Sequence, residues 1–320
     1  LRIPADIYYR REDKFLNTFP HTILMTPPSL TAIDSQINSL PALPAIVSQI
    51  IAVTEDPESS ANDLIQVVLP DQTMCGTILK VANSAFFGVP RGVSTIERAV
   101  VLLGHEEIKN IVIGKAIFSS FPKLSKANTN SVNLFWEHAL TCGLAAKIIG
   151  EQLHLSPSEL FIAGLIHDIG KLAMLMAYPN DYPILRDLSN PCNAEDSAEE
   201  QAKFAISHDK VGLQIAKKWQ LPEQLAAAIG YHHCPQDAPS HKAYPLIVQV
   251  ADILSLMYCH SDCMESSDVE KIFADFLPET STMWQQNNLT WKTENFGLWY
   301  TMLQQQREND RTILSAFSSE

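Results

Sequence analysis

Six of the ten histidines fall between residues 138 and 233. Five of them, His138, His167, His208, His232 and His233, gather about one dyad, His167-Asp168, inside Leu165-Ile166-His167-Asp168-Ile169-Gly170-Lys171. Neutral imidazole and carboxylate are ligands that suit iron, manganese, zinc or nickel, so a convergent set of them holds a divalent cation before it does any other chemistry. Asp252 supplies a second carboxylate at the far end of the same region.

Ligands converge only if the elements that carry them turn them to one cavity. Apolar residues recur at helical spacing almost throughout, with no sustained strand-like alternation, so the expected fold class is all-α, a two-lobe helical bundle. His138 shares an apolar stripe with Leu134, Ala145 and Ile149, and His208 shares one with Val211, Gly212, Ile215 and Trp219. His232 lies in register with Leu225 and Ile229, and Asp252 with Val248 and Leu256. The helix leading to His167-Asp168 opens with Ser156-Pro157-Ser158-Glu159, which predicts a capping box with proline at the first helical position. One inward histidine is more often a hydrogen-bonded core residue than a ligand. Five histidines and two aspartates on successive inward faces favour a shared metal site over a polar core network. Lys171 is either a phosphate contact or an ion-pair partner for Asp168, and the first is preferred.

The wider chain sets the frame. With 320 residues, 46% of them apolar and 18% charged, it can bury a large core arranged in about two lobes. The expected organisation is an N-terminal arm over 1–35, a first helical lobe over 36–120, a polar connection, a second lobe over 130–255 and a helical extension over 256–320. In the extension a helix is expected over Ser267 to Phe276. The amphipathic stretch from Glu294 to Phe317, with Phe296, Trp299, Leu303 and Leu314, is expected to pack on the body of the protein. A net charge of −13 and the lack of a dense basic run argue against direct binding to nucleic acid or to a membrane surface. Six cysteines without a secretory leader or a spanning apolar run point to a cytoplasmic setting. Leu1 opens the sequence, so an upstream segment is left open. Cys259-His260-Ser261-Asp262-Cys263 lacks the second ligand pair that a soft-metal site needs.

The order His138, His167-Asp168, His208, His232-His233, Asp252 resembles the HD superfamily of metal-dependent phosphohydrolases. Stretches of the first lobe, Leu40-Pro41-Ala42-Leu43-Pro44-Ala45-Ile46, Leu79 to Gly88 around Ala82-Asn83-Ser84, and Val93 to Gly104, resemble the HDOD family, the HD-related output domains of bacterial signalling proteins. The resemblance covers about residues 36 to 255 and implies that the second lobe is HD-domain-like. It implies one or two divalent ions, iron, manganese or zinc, with Asp168 shared between them. His138, His167 and Asp252 would complete one ion's shell, and His208 with one of His232-His233 would serve the other. The ligand set is similar to that of the HD-GYP branch, but Cys234-Pro235-Gln236-Asp237 follows the histidine pair where that branch has Gly-Tyr-Pro, so its substrate does not carry over.

Two functions follow from the resemblance. The first is a regulatory output protein that acts through signalling partners and self-association and can sense a nucleotide or cyclic dinucleotide. The second is a phosphohydrolase in which the metals acidify a water for attack on a phosphoryl group, with Asp168 and Lys171 as the catalytic residues.

Overall fold

The computed structural model describes residues 30–84, 92–121, 129–182, 194–260, 280–290, 292, 294–309 and 312–318. Among these residues every regular element is a helix, as the helical spacing of the apolar residues requires. Residues 1–29 of the expected arm over 1–35, the loop over 85–91, most of the connection over 121–130, the helix over 267–276 and residues 261–263 of the cysteine cluster lie outside the described residues, while residues 30–35 of that arm are helical.

The first lobe comprises α2 (Ala45–Glu55), α3 (Ala61–Val68), α4 (Gln72–Ala82), α5 (Ile96–Leu103) and α6 (His105–Ser120). Local side chains fix where these helices begin. Ser60 and Asp63 form a reciprocal capping box on α3, Asp71 accepts from Met74 N on α4, and Thr95 accepts from Arg98 N on α5. Asn83 ends α4 by donating to the Leu79 and Val93 carbonyls, both at 2.7 Å, so it also ties that helix to the approach to α5. Helix α6 is buried on all sides from Ile108 to Ile117. It is the central post against which α2 and α4 of the first lobe and α8 of the second both pack.

The second lobe is built on α7 (Thr129–Leu153), α8 (Pro157–Ile166), α9 (Ile169–Ala177), α10 (Ala194–Phe204), α11 (His208–Lys218), α12 (Glu223–Tyr231) and α13 (Ala243–His260). Helices α7 and α8 form its most extensive contact. Their backbones approach until a Cβ on Gly164 would stand 2.8 Å from the Cys142 carbonyl oxygen, so only glycine fits there. The stretch Pro157–Ala177 is long and apolar enough to cross a membrane, but 89% of that window is buried in the fold, which accounts for its apolar character.

One local expectation fails. Ser156 stands at the N-cap of α8 with proline following, but its side chain makes no capping hydrogen bond. The Glu159 carboxylate is drawn away by two stronger partners, accepting from Tyr244 Oη and Gln224 Nε2, so the reciprocal box does not form.

The remaining helices bind the lobes together. Helix α1 (Leu30–Ser39) packs on α9 and α11. The Lys218 ammonium donates to the carbonyls of Ile37, Asn38 and Leu40 at its C-terminal end, a favourable place for a cation. After α13 come α14 (Thr280–Gln286), α15 (Glu294–Asn309) and α16 (Thr312–Ser318). Helix α15 lies on α7, and α16 lies on α4 and α6. Trp284, Phe296, Trp299, Leu303 and Phe317 are all buried, so the amphipathic tail packs on its own body. The Lys115 ammonium donates to the Phe317 carbonyl at 2.7 Å and holds the last helix in place.

Candidate metal centre

The two central residues sit in a break of the helix. Helix α8 ends at Ile166 and α9 starts at Ile169. On one continuous helix, adjacent side chains would point about 100° apart. The interruption at His167 and Asp168 lets two neighbours in sequence turn to one cavity. Helix α7 brings His138, the start of α11 brings His208, the end of α12 brings His232 and His233, and α13 brings Asp252. The crossing of α9 and α11 is close. A Cβ on Gly170 would lie 1.9 Å from the His208 carbonyl oxygen, so glycine in the His-Asp-Ile-Gly-Lys run sets the distance between Asp168 and His208.

All seven residues converge, in two groups that meet at Asp168. On one side, His167 Nε2 lies 3.4 Å and His138 Nε2 3.8 Å from Asp168 Oδ2. The same two nitrogens lie 3.6 Å and 3.1 Å from Asp252 Oδ1. On the other side, His208 Nε2 and His232 Nε2 stand 3.1 Å and 3.6 Å from Asp168 Oδ1. His233 Nε2 completes this group, 2.9 Å from His208 Nε2. Lys171 Nζ lies 2.6 Å from Asp168 Oδ2, so its ammonium is paired with the shared carboxylate.

A second layer orients the rings. His167 Nδ1 contacts the Gly164 carbonyl at 2.7 Å, His232 Nδ1 the Ile229 carbonyl at 2.9 Å, and His208 Nδ1 the Glu200 carboxylate at 2.7 Å. These partners only accept, so Nδ1 carries a proton and Nε2 is the atom offered to the site. For His138 the partner is Ser255 Oγ at 3.0 Å, whose own proton goes to the Asp252 carbonyl. Ser255 and Glu200 are not among the residues expected from the sequence. Ser255 lies three residues from Asp252 on α13, a spacing that would have revealed it. Glu200 carried no such signal.

The electrostatics are those of buried opposite charges that hold one another. Burial opposes ionisation of Asp168, yet His167, Lys171 and His208 hold its carboxyl well below the usual range. Asp252 is held low in the same way by His138 and His167. Burial works against a charged His208, but Glu200 and Asp168 outweigh it and lift the ring to about 9. His167 is raised against burial by Asp168. His232 and His233 go the other way, lowered first by burial.

The donors fit a cation. Nε2 of His138, His167 and His232 and Oδ1 of Asp168 and Asp252 are buried without a hydrogen-bond partner. Although close, they are poorly aligned for hydrogen bonding to one another. Leaving such atoms unpaired costs roughly 1–3 kcal/mol each, which an ion would remove. Ligands at about 2.1 Å from one ion stand about 3.0–3.4 Å apart in octahedral or tetrahedral arrangement, close to the 2.9–3.8 Å separations here.

Residues 40–235 match the HDOD domain family. The chain belongs to that family. It is thereby a member of the HD superfamily, although the family match stops short of Asp252, which only the fold brings to the cluster. An uncharacterised protein of Treponema pallidum (strain Nichols) is 25% identical over 224 residues, 69% of this chain and 42% of that protein. Ribonuclease Y of Desulfotalea psychrophila is 31% identical over 119 residues, 37% of this chain and 16% of that enzyme. The HDOD chain thus spans less than half the length of these curated relatives. A crystal structure of a candidate phosphohydrolase from Shewanella amazonensis SB2B superposes with a TM-score of 0.66 at 17% identity, covering 90% of this chain and 98% of that one. An HDOD domain protein of unknown function from Geobacter sulfurreducens gives a TM-score of 0.60 at 22% identity, covering 90% and 96%. At these identities the likeness is one of fold.

Proposed function

We propose that this HDOD protein is a signalling output module organised around a two-ion centre, with Asp168 shared between the ions. One subsite would take Asp168 Oδ2, His138, His167 and Asp252, and the other Asp168 Oδ1, His208, His232 and His233. Iron, manganese and zinc all suit the donor set. The observation that carries the reading is the group of buried, unpartnered nitrogens and oxygens turned to one point. A bulky substrate has little open approach to the donors. Of the seven residues His233 alone is half-buried, and the rest are at most 5% exposed. With this reading go signalling proteins as partners, self-association, a nucleotide or cyclic dinucleotide as the sensed ligand, and a cytoplasmic setting.

Phosphohydrolysis is the second reading, favoured by the presence of both halves of the ligand set. Bound ions would neutralise charge on a phosphoryl group and acidify a water for attack on it. In that reading Asp168 would hold the ions, the His233 edge would admit substrate, and Lys171 would move from Asp168 to a phosphate oxygen. The test is a turnover screen of the manganese- or iron-loaded full chain on cyclic dinucleotides, nucleotides and a generic phosphodiester, beside a His167→Ala, Asp168→Ala control. Turnover above the control favours the enzyme. Metal retained with no turnover favours the regulatory module.

A further inference from the structure

The four rings with a described Nδ1 partner are not backed alike. His167 and His232 rest on main-chain carbonyls and His138 on a hydroxyl. His208 alone among them is backed by a carboxylate. Glu200 Oε2 accepts from both the backbone N and the Nδ1 of His208, each at 2.7 Å. Its other oxygen accepts from Tyr182 Oη at 2.6 Å. Glu200 is 8% exposed and Tyr182 5%, and His208 bears on Asp168 Oδ1 at 3.1 Å. A hydrogen-bonded chain therefore runs from Tyr182 through Glu200 to His208, whose Nε2 faces the shared carboxylate.

An anion behind an imidazole makes the opposite nitrogen a stronger donor and fixes the direction of its lone pair. A carbonyl or hydroxyl does this less. We infer that Glu200 is a positioning residue that makes the subsite of Asp168, His208, His232 and His233 the tighter of the two, the one that fills first, with Tyr182 holding the carboxylate in register. The inference rests on the two-ion reading and adds an order of filling, which that reading leaves open. A second feature supports the same subsite. His208 Nε2 and His233 Nε2 face each other at 2.9 Å, a distance suited to two adjacent ligands of one ion.

The probe is cobalt(II), titrated anaerobically into the metal-free full chain and followed by its visible absorption and by calorimetry. Two steps are expected in the wild type. Glu200→Gln keeps an acceptor but removes the charge, and should weaken the tighter step about 10- to 100-fold with altered absorption of that step. Ser255→Ala, behind His138, should weaken only the second step. Tyr182→Phe removes one hydroxyl, leaves the packing in place, and should weaken the tighter step by roughly threefold; it carries the test if Glu200→Gln does not fold. A tighter step unmoved by Glu200→Gln or by Tyr182→Phe, or lowered instead by Ser255→Ala, would overturn the assignment while leaving two ions in place. No cobalt uptake by the wild type would overturn the two-ion reading along with it.

Discussion

Without a cation the centre balances its own charge. Asp168, Asp252 and Glu200 are held ionised, and His167, His208 and Lys171 are held protonated. An ion must therefore displace protons from the histidines, which gives a signed pH dependence. His208 is lifted from 6.5 to about 9 in the fold, so its contribution to metal-free stability is complete below about pH 6.5 and lost as pH rises through about 9. The loss is on the order of 3 kcal/mol. In the proposed loaded protein that imidazole would hold metal instead of a proton. Melting curves in chelator and in manganese at pH 6.5 and pH 9 should show the gap between the two forms widening with pH; a constant gap would contradict the assignment. At this scale the sequence is informative for groups that face the cavity, because their inward register is written in the apolar residues at helical spacing around them. It is poor for groups that act through a ring. Glu200 sits in Ala194-Glu195-Asp196-Ser197-Ala198-Glu199-Glu200, a run that reads as a solvated helix face, and its contact with His208 depends on the turn at Ser207.

Between elements, the centre depends on how closely helices cross. Gly170 of α9 meets the backbone of α11 at His208 and Gly212, with no room for a methyl group. Gly170→Ala must push α11 away from α9 and carry His208 with it. The expected cost is about 1–3 kcal/mol from overpacking, together with loss of one ion's affinity. A melting temperature and a metal content both equal to wild type would show that the crossing can relax. Helix starts in the first lobe are marked locally, since α3 and α5 follow Ser60 and Thr95, residue types that cap helices. The break between α8 and α9 is not. Spacing alone runs a single helix through Leu160, Gly164 and Lys171, and nothing local marks the point at which tertiary packing interrupts it. The capping box at Ser156 failed for a related reason, because Glu159 found distant partners in Tyr244 and Gln224.

Over the whole molecule, the tail joins the lobes. Helix α15 covers α7, which carries His138, and α16 wedges Phe317 against α6, where a Cβ on Gly114 would come within 3.1 Å of its ring. Phe317→Ala should cost about 3–5 kcal/mol, read as a shift in denaturant midpoint with unchanged slope. A near-neutral effect would mean that the tail is detachable. The amphipathic register of residues 294–317 made a packed tail legible, but its target was not, since contacts so distant in sequence leave no local trace. The helix over Thr280–Gln286, with Trp284 fully buried, likewise has no apolar stripe to mark it in a short polar stretch. These elements position the proposed centre, in which Asp168 would be shared by two ions. Elemental analysis of the untagged full chain beside Asp168→Ala tests it most directly. About two equivalents of iron, manganese or zinc in the wild type, lost in the variant, is the expected result. No metal after anaerobic reconstitution, or equal metal in both proteins, would contradict it.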